Sequence, residues 1–464
     1  MLIRAAELEG GSIADVRIEN GRVEAIGQLE PRESETPLEA RGGLLLPGLH
    51  DHHIHVAALA AALGSVRCGP PQVTDLAGLT EALRAPGTGW LRGVGYHESV
   101  AGMLDAAMLD EIAPDRPVRV QHRGGRMWCF NSAALELLRG ATAAPPRLEL
   151  SGGRPTGRLF EGDAWLRSAL GGQPPSFAPV GAMLAQRGVT GLTEISPAND
   201  AVIARHFAAE RRNGSLPQKI LLAGRIALSG VDMSDGICLG PVKFHLHEAA
   251  FPPLDDVIDA MRLAHERGRP VAVHCATEVE LVFALAAIAA AGSQPGDRIE
   301  HASVAPDTAV AEVSRLGLAV VSQPHFISER GDAYRANVAE EDQPLLYRLR
   351  AFLDAGVTLA GGSDAPFGGT DPWTSMAAAV SRATPSGAII GAAEALPPEQ
   401  ALDLYLAAPE ALGQRRRVEV GAPADLCLLD RGWARARSDL ASVGVRATWI
   451  DGRQVHDGVD QAPA

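Results

Sequence analysis

Between residues 44 and 361 the chain alternates short apolar runs with longer helix-like runs, and it does so eight times. The apolar runs cover 44–55, 189–195, 219–225, 241–246, 270–275, 298–301, 319–322 and 357–361. Helical patterns such as 254–267, 278–291 and 307–316 lie between them. Antiparallel neighbours need only a turn, whereas parallel neighbours need a crossover of about this length. The alternation therefore predicts an α/β fold with a parallel sheet, and eight repeats predict closure into a (β/α)₈ barrel over 47–414. Residues 57–187 are too long for a βα connection. They hold helix-like stretches, an apolar segment at 118–121 and a turn at Ser151-Gly152-Gly153. This predicts a large insertion after the first barrel strand, packed over the barrel mouth, where such folds accept additions.

The two ends of the chain read differently. Segments 2–4, 15–19 and 22–27 look like strands, with Asn20-Gly21 as the turn between the last two. Segments 424–429, 446–450 and 453–456 repeat the style around Asp451-Gly452. Neither end can bury a sheet face alone, so residues 1–46 and 415–458 are expected to form one composite β-sandwich. The tail ending Gln461-Ala462-Pro463-Ala464 is expected to be loose.

Composition narrows the partners. A formal net charge of −14, with no basic run beyond Arg415–Arg417, would repel phosphate backbones and anionic lipid. Nucleic acid and membrane are thus excluded as expected partners, which leaves a small-molecule substrate. The N-terminus has no apolar export segment, and five widely spaced cysteines fit reduced thiols in a cytoplasmic protein. Of 42 basic residues only Lys219 and Lys243 are lysine. Lys219 opens a strand and could merely be solvated. Lys243 lies in Gly240-Pro241-Val242-Lys243-Phe244, where a buried strand is expected. A buried lysine can lose its proton and react with carbon dioxide, which arginine cannot do.

The chemistry concentrates in Pro47-Gly48-Leu49-His50-Asp51-His52-His53-Ile54-His55. Alternation on a strand puts Asp51, His53 and His55 on one face, and two imidazoles there can chelate a divalent ion. A histidine-rich polar turn would give the same string. His274, His301 and Asp364 follow where the fifth, sixth and eighth strands end, and Lys243 holds that position on the fourth. Alone, each histidine reads as a core residue and the aspartate as a helix cap. Their shared position is the argument, because barrel sites are built from the C-terminal ends of strands. A carbamate on Lys243 would bridge two ions. His53, His55 and Asp364 would hold one, and His274 with His301 the other. Metal-activated hydroxide would attack a carbonyl, with Asp364 shuttling the proton. Zinc is the default for such ligands, though manganese, nickel or iron would fit.

The Pro-Gly-x-x-Asp-x-His-x-His run, the strand lysine, the two strand-end histidines and Gly362-Ser363-Asp364 resemble the amidohydrolase superfamily. Val420-Gly421-Ala422-Pro423-Ala424-Asp425-Leu426 is similar to its C-terminal signature. Finer segments resemble its YtcJ-like branch (amidohydrolase family 3): Trp90–Tyr96, Pro114–Val118, Trp128–Leu135, Ser322-Gln323-Pro324-His325-Phe326 and Ser363–Pro366 with Asp371-Pro372. The resemblance spans nearly the whole chain and implies hydrolysis of a C–N bond in an amide, cyclic imide, lactam or carbamate. It leaves a homodimer open.

Two departures stand out. Gly125-Arg126 replaces the usual Gly-His, so Arg126 is either an anion-binding group or a surface replacement. His245, on the Lys243 face where relatives often carry an acid nearby, either supports the site or serves the core. Trp90, Tyr96, Arg126, Trp128, His325, Phe326 and Trp373 are candidate substrate contacts, and any of these aromatics could instead be core. A mononuclear deaminase on the same barrel is the rival enzyme, but its usual glutamate position is Thr277 here, with Glu278 one residue later. A non-catalytic scaffold is the rival from another class, and such relatives typically lose ligands that this chain retains.

Overall fold

The computed structural model describes residues 1–33, 35–84, 86–87, 89–139, 147–170 and 175–458, so the tail ending Gln461-Ala462-Pro463-Ala464 lies outside it. Eight parallel strands form one sheet in chain order: Leu49–Ile54, Val189–Glu194, Lys219–Gly224, Ile237–His245, Val271–Cys275, Arg298–His301, Ala319–Ser322 and Thr358–Gly361. Runs such as Val271–Cys275 are apolar almost throughout because a barrel strand is covered on both faces. The crossover helices start where sequence chemistry says they should. Glu278–Ala291, for example, opens on a capping box between Thr277 and Glu280.

The seam between the first and eighth strands is closed by the chain just past the eighth. Asp364 N donates to His53 O at 2.7 Å, and His55 N donates to Ala365 O at 2.9 Å. The backbones meet so closely there that a Cβ on Gly362 would lie 2.6 Å from His53 N. Gly362→Ala is accordingly expected to cost about 1–3 kcal/mol by overpacking. It should also loosen metal binding by displacing His53, and a denaturant midpoint measured beside metal content checks both.

The single strand expected over 44–55 is two. Leu45–Pro47 pairs antiparallel with Leu426–Leu429, and only Leu49–Ile54 enters the barrel. The break falls at Gly48, where a Cβ would come within 2.0 Å of Thr190 Cγ2. Leu45–Pro47 thereby completes one of two four-stranded sheets, built from both chain ends, that enclose a shared core including Val16, Ile18, Leu426 and Trp449. Lys219 is not simply solvated: its Nζ lies 2.7 Å from Asp425 Oδ2 and 2.7 Å from Asp451 Oδ1, which ties the third strand to these sheets. Half-buried Arg416 is equally structural, donating to the carbonyls of Gly48, Tyr405 and Ala407.

The insertion is a separate compact unit, Ala57–Pro175. It stops short of residue 187 because helix Ala178–Ala185 packs on the second barrel strand instead. Its sheet has six strands, in the order Leu148–Ser151, Arg154–Phe160, Met127–Phe130, Val118–His122, Leu91–Tyr96 and Val66–Arg67. Alternation sends Leu91, Val120 and Cys129 into one core and Trp128, Phe130 and Leu159 into another. No described helix is long and apolar enough to cross a membrane.

Candidate active site

Four imidazoles line the C-terminal end of the barrel in series. Ring centroids of His274 and His301 are 4.6 Å apart, those of His301 and His53 4.6 Å, and those of His53 and His55 5.3 Å. Asp364 closes the series, with Oδ1 3.2 Å from Nε2 of both His53 and His55. Donor atoms of His53, His301 and Asp364 all lie within 4.8 Å of one another, a spacing one divalent ion can span. Lys243 is buried, and its Nζ has no hydrogen-bond partner among the described residues. Burial lowers its pKa to about 8, against the raising influence of Glu300 and Asp364. The structure thus brings together His53, His55, His301, His274 and Asp364 around the fourth-strand lysine. Asp51, on the His53 face, instead accepts from the backbone N–H groups of His53 and Ser363 and so braces the seam.

Three of the four imidazoles, those of His53, His55 and His301, are oriented by the other nitrogen. His53 Nδ1 donates to Glu300 Oε2 at 2.6 Å, His55 Nδ1 pairs with Ser196 Oγ at 2.8 Å, and His301 Nδ1 donates to Gln323 Oε1 at 2.8 Å. With Nδ1 engaged, Nε2 is the atom that each of these three rings turns toward the site, which is how metal-binding histidines are ordinarily held. Glu300 is itself gripped by Arg298, Nε to Oε1 at 2.7 Å. Burial pushes the Glu300 carboxyl up, but Arg298, Lys243 and His53 outweigh it and hold the group well below the usual range. Asp364 behaves alike: burial opposes ionisation, and hydrogen bonds from His53 and His55 overcome it. His301 is pushed down to about 3 by burial first and then by the charge of His53, so it stands neutral and able to ligate. His301 and Asp364 have φ of 71° and 51°, a left-handed conformation that non-glycine residues hold at some cost and that clusters at functional sites.

The orienting residues Glu300, Gln323 and Ser196 were not among the expected site residues. Glu300 carried a signal, being an acid in an otherwise buried strand beside the candidate ligand His301. Ser196 carried none, because its role depends on how the first and second strands pair.

The aromatic candidates are placed differently from expectation. Tyr96 is buried in the insertion's core and its hydroxyl donates to Gly102 O. Trp128 is buried in the second core of that unit, with half-buried Trp90 against it. Arg126 is exposed and ion-paired with Glu161. Phe326 and Trp373 are buried, and Trp373 Nε1 donates to Arg187 O. In this structure the large rings of Tyr96, Trp128, Phe326 and Trp373 serve packing, because burying so much apolar area outweighs leaving it wet. His325 also faces inward. Its Nε2 donates to Ser363 O at 3.0 Å and its Nδ1 meets Ser375 Oγ at 3.0 Å, so it positions the segment bearing Asp364. The aromatic ring that stays exposed beside a candidate ligand is Phe367, 55% accessible and edge-on to His55. His245 is exposed too, with its ring centroid 4.5 Å from that of His274. Thr277, where a deaminase would place its glutamate, caps a helix.

Known proteins share this plan. A family model described as the amidohydrolase family matches residues 38–456. N-substituted formamide deformylase of Arthrobacter pascens is 26% identical, with 97% of this chain and 96% of that protein aligned. YtcJ of Bacillus subtilis (strain 168) is 23% identical, with 97% of each covered. Among solved structures, a metal-dependent hydrolase from Pyrococcus horikoshii OT3 has a TM-score of 0.75 at 20% identity, covering 98% of this chain and 99% of that one.

Proposed function

The chain belongs to the amidohydrolase family, and from that premise we propose that it hydrolyses a C–N bond in a small-molecule amide, cyclic imide or lactam, or carbamate with two divalent metal ions, zinc by default. The observation that carries this reading is the buried, unpartnered Lys243 Nζ beside four imidazoles and a carboxylate. A buried ammonium without an acceptor is costly. Reaction of the neutral amine with carbon dioxide removes that cost: nitrogen bonds to the carbon of carbon dioxide, one proton leaves, and an anionic carbamate results. His53, His55 and Asp364 would then hold one ion, His274 and His301 the other, with the Lys243 carbamate shared between them. When bound, the ions supply Lewis acidity, polarising the carbonyl and lowering the pKa of water.

The protein's own groups do the rest. Asp364 stays ionised, so it can accept a proton from the attacking water and return it to the leaving nitrogen. Glu300, Ser196 and Gln323 keep the imidazoles aimed, and His325 keeps Asp364 in place. Phe367 and His245 flank the opening and are the side chains best placed to meet substrate. The name of the Arthrobacter relative specifies a formamide, which favours an amide over an ester. Five unpaired cysteines, four of them buried, favour a reducing cytoplasmic location.

The test is metal content by plasma emission spectroscopy on protein purified without chelator or affinity tag, together with an amide and imide hydrolysis screen. About two ions per chain and a hydrolysed amide are expected. Asp364→Asn should lower turnover by about 10²–10⁴-fold. No ion after metal and bicarbonate are supplied would overturn the mechanism. One ion per chain would replace it with a mononuclear one.

A further inference from the structure

One barrel helix turns an apolar face to solvent where its neighbour turns a charged one. In Glu278–Ala291 only Glu278 and Glu280 are charged, and Glu280 is buried at the capping box. Val279 and Val282 are 56% and 54% exposed, and Ala286, Ala289 and Ala290 continue the exposed face, with half-buried Phe283 at its edge. At the helical period these six residues form one stripe about 17 Å long. Single exposed apolar residues are ordinary on a protein surface, but a helix apolar on every side is ordinarily covered on every side. The adjacent helix Leu254–Glu266 follows the usual rule, with Asp255, Asp256, Asp259, Arg262 and Glu266 turned to solvent. The two helices lie side by side and run the same way. The Phe251 and Phe283 rings stack at 4.5 Å near their starts, and Arg262 donates to Ala290 O at 2.9 Å toward their ends.

We infer that this face binds a second copy of the chain, with the two Glu278–Ala291 helices antiparallel across a two-fold axis at Ala286. The stripe is self-complementary in that arrangement. Its bulky residues Val279, Val282 and Phe283 lie in the N-terminal half, and its alanines follow them. An axis at Ala286 sets Val282 opposite the partner's Ala290 and Phe283 opposite the partner's Ala289. Large then meets small, and the helices approach closely. Charge favours the same direction. Around the N-terminal ends of the two helices the exposed Glu248, Asp255, Asp256 and Glu278 are all acidic. Arg262, which also pairs with Asp259 at 3.2 Å, and Arg267 lie toward the C-terminal ends with Glu266. Antiparallel pairing sets each acidic end against the partner's arginines, whereas parallel pairing would press the acidic ends together. An anionic lipid surface would meet the same acids and be repelled.

Sedimentation velocity on the tag-free full-length protein reads the association directly. The parent is expected to sediment as a dimer at about 50 µM. Val282→Glu should raise the dissociation constant at least about a hundredfold, because each dimer carries the buried carboxylate twice. Val279→Glu is a second variant with the same expectation. Both valines are more than half exposed in the single chain, so far-UV circular dichroism of the variants should match that of the parent. Ala286→Cys, a small change at an exposed position, tests the axis itself. Mild oxidation should link it to its own copy, with the parent, whose Cys238 is exposed, as the control. A parent that sediments as a monomer at that concentration would overturn the inference. So would a dimer that both glutamate variants leave intact, or one in which Ala286→Cys gains no cross-link.

Discussion

Lys243→Ala is expected to strip metal from the protein and to lower kcat/KM by at least about a thousandfold, the scale of losing one member of a catalytic constellation. The reason is geometric as well as chemical. The side chain is buried, its nitrogen meets no acceptor among the described residues, and the groups around it are imidazoles and carboxylates. Alanine would leave the two proposed sets of metal ligands without the group that is proposed to join them. Lys243→Arg sharpens the test, because arginine keeps the positive charge and cannot be neutralised to react with carbon dioxide. Both variants should fail alike. An arginine variant that retained metal and activity would mean that Lys243 acts as a cation, and the carbamate would have to be abandoned. Restoring activity to the metal-depleted parent should require bicarbonate as well as metal, whereas neither variant should respond.

Glu300→Gln should be the most destabilising conservative change near the site. Glu300 neutralises buried Arg298 through one oxygen and orients His53 through the other. Glutamine keeps the shape but leaves Arg298 buried without a counter-charge, a defect of about 3–5 kcal/mol. Metal affinity should fall by about 10–100-fold as His53 loses its anchor. The pH dependence has a definite sign. The folded-state pKa of Glu300 is depressed far below its ordinary value of 4.5. Its contribution is therefore complete above that value and drains away as pH falls below it. Urea unfolding at pH 7 should show the full difference between parent and variant, and the gap should narrow at pH values below about 4. A constant gap across that range would show that the destabilisation comes from shape rather than charge.

Much of the barrel was legible because its signals are local. Strand Arg298–His301 and helix Glu278–Ala291 lie where the pattern puts them, since apolar runs, capping residues and helical periodicity act over a few neighbours. The candidate ligand positions stand out in the sequence for the same reason. A polar residue closing an apolar strand stands out, and strand ends are where barrel chemistry sits. The aromatic candidates show the limit. Trp128, Tyr96, Phe326 and Trp373 read equally well as pocket or core in one dimension, and the structure buries all four. Phe367, following Pro366 in a loop, carried no mark of its exposure.

The sequence by itself determined the kind of fold, the residue types available for chemistry and the strand ends that bear them. Tertiary structure alone decided which nitrogen each imidazole presents, which aromatic rings stay wet, and how the seam closes. His53 meets Glu300 across 247 positions and Ser363 meets Asp51 across 312. Side-chain alternation repeats every two residues and can be read locally. Contacts between strands this far apart exist only once closure has set their register, and no local pattern encodes that.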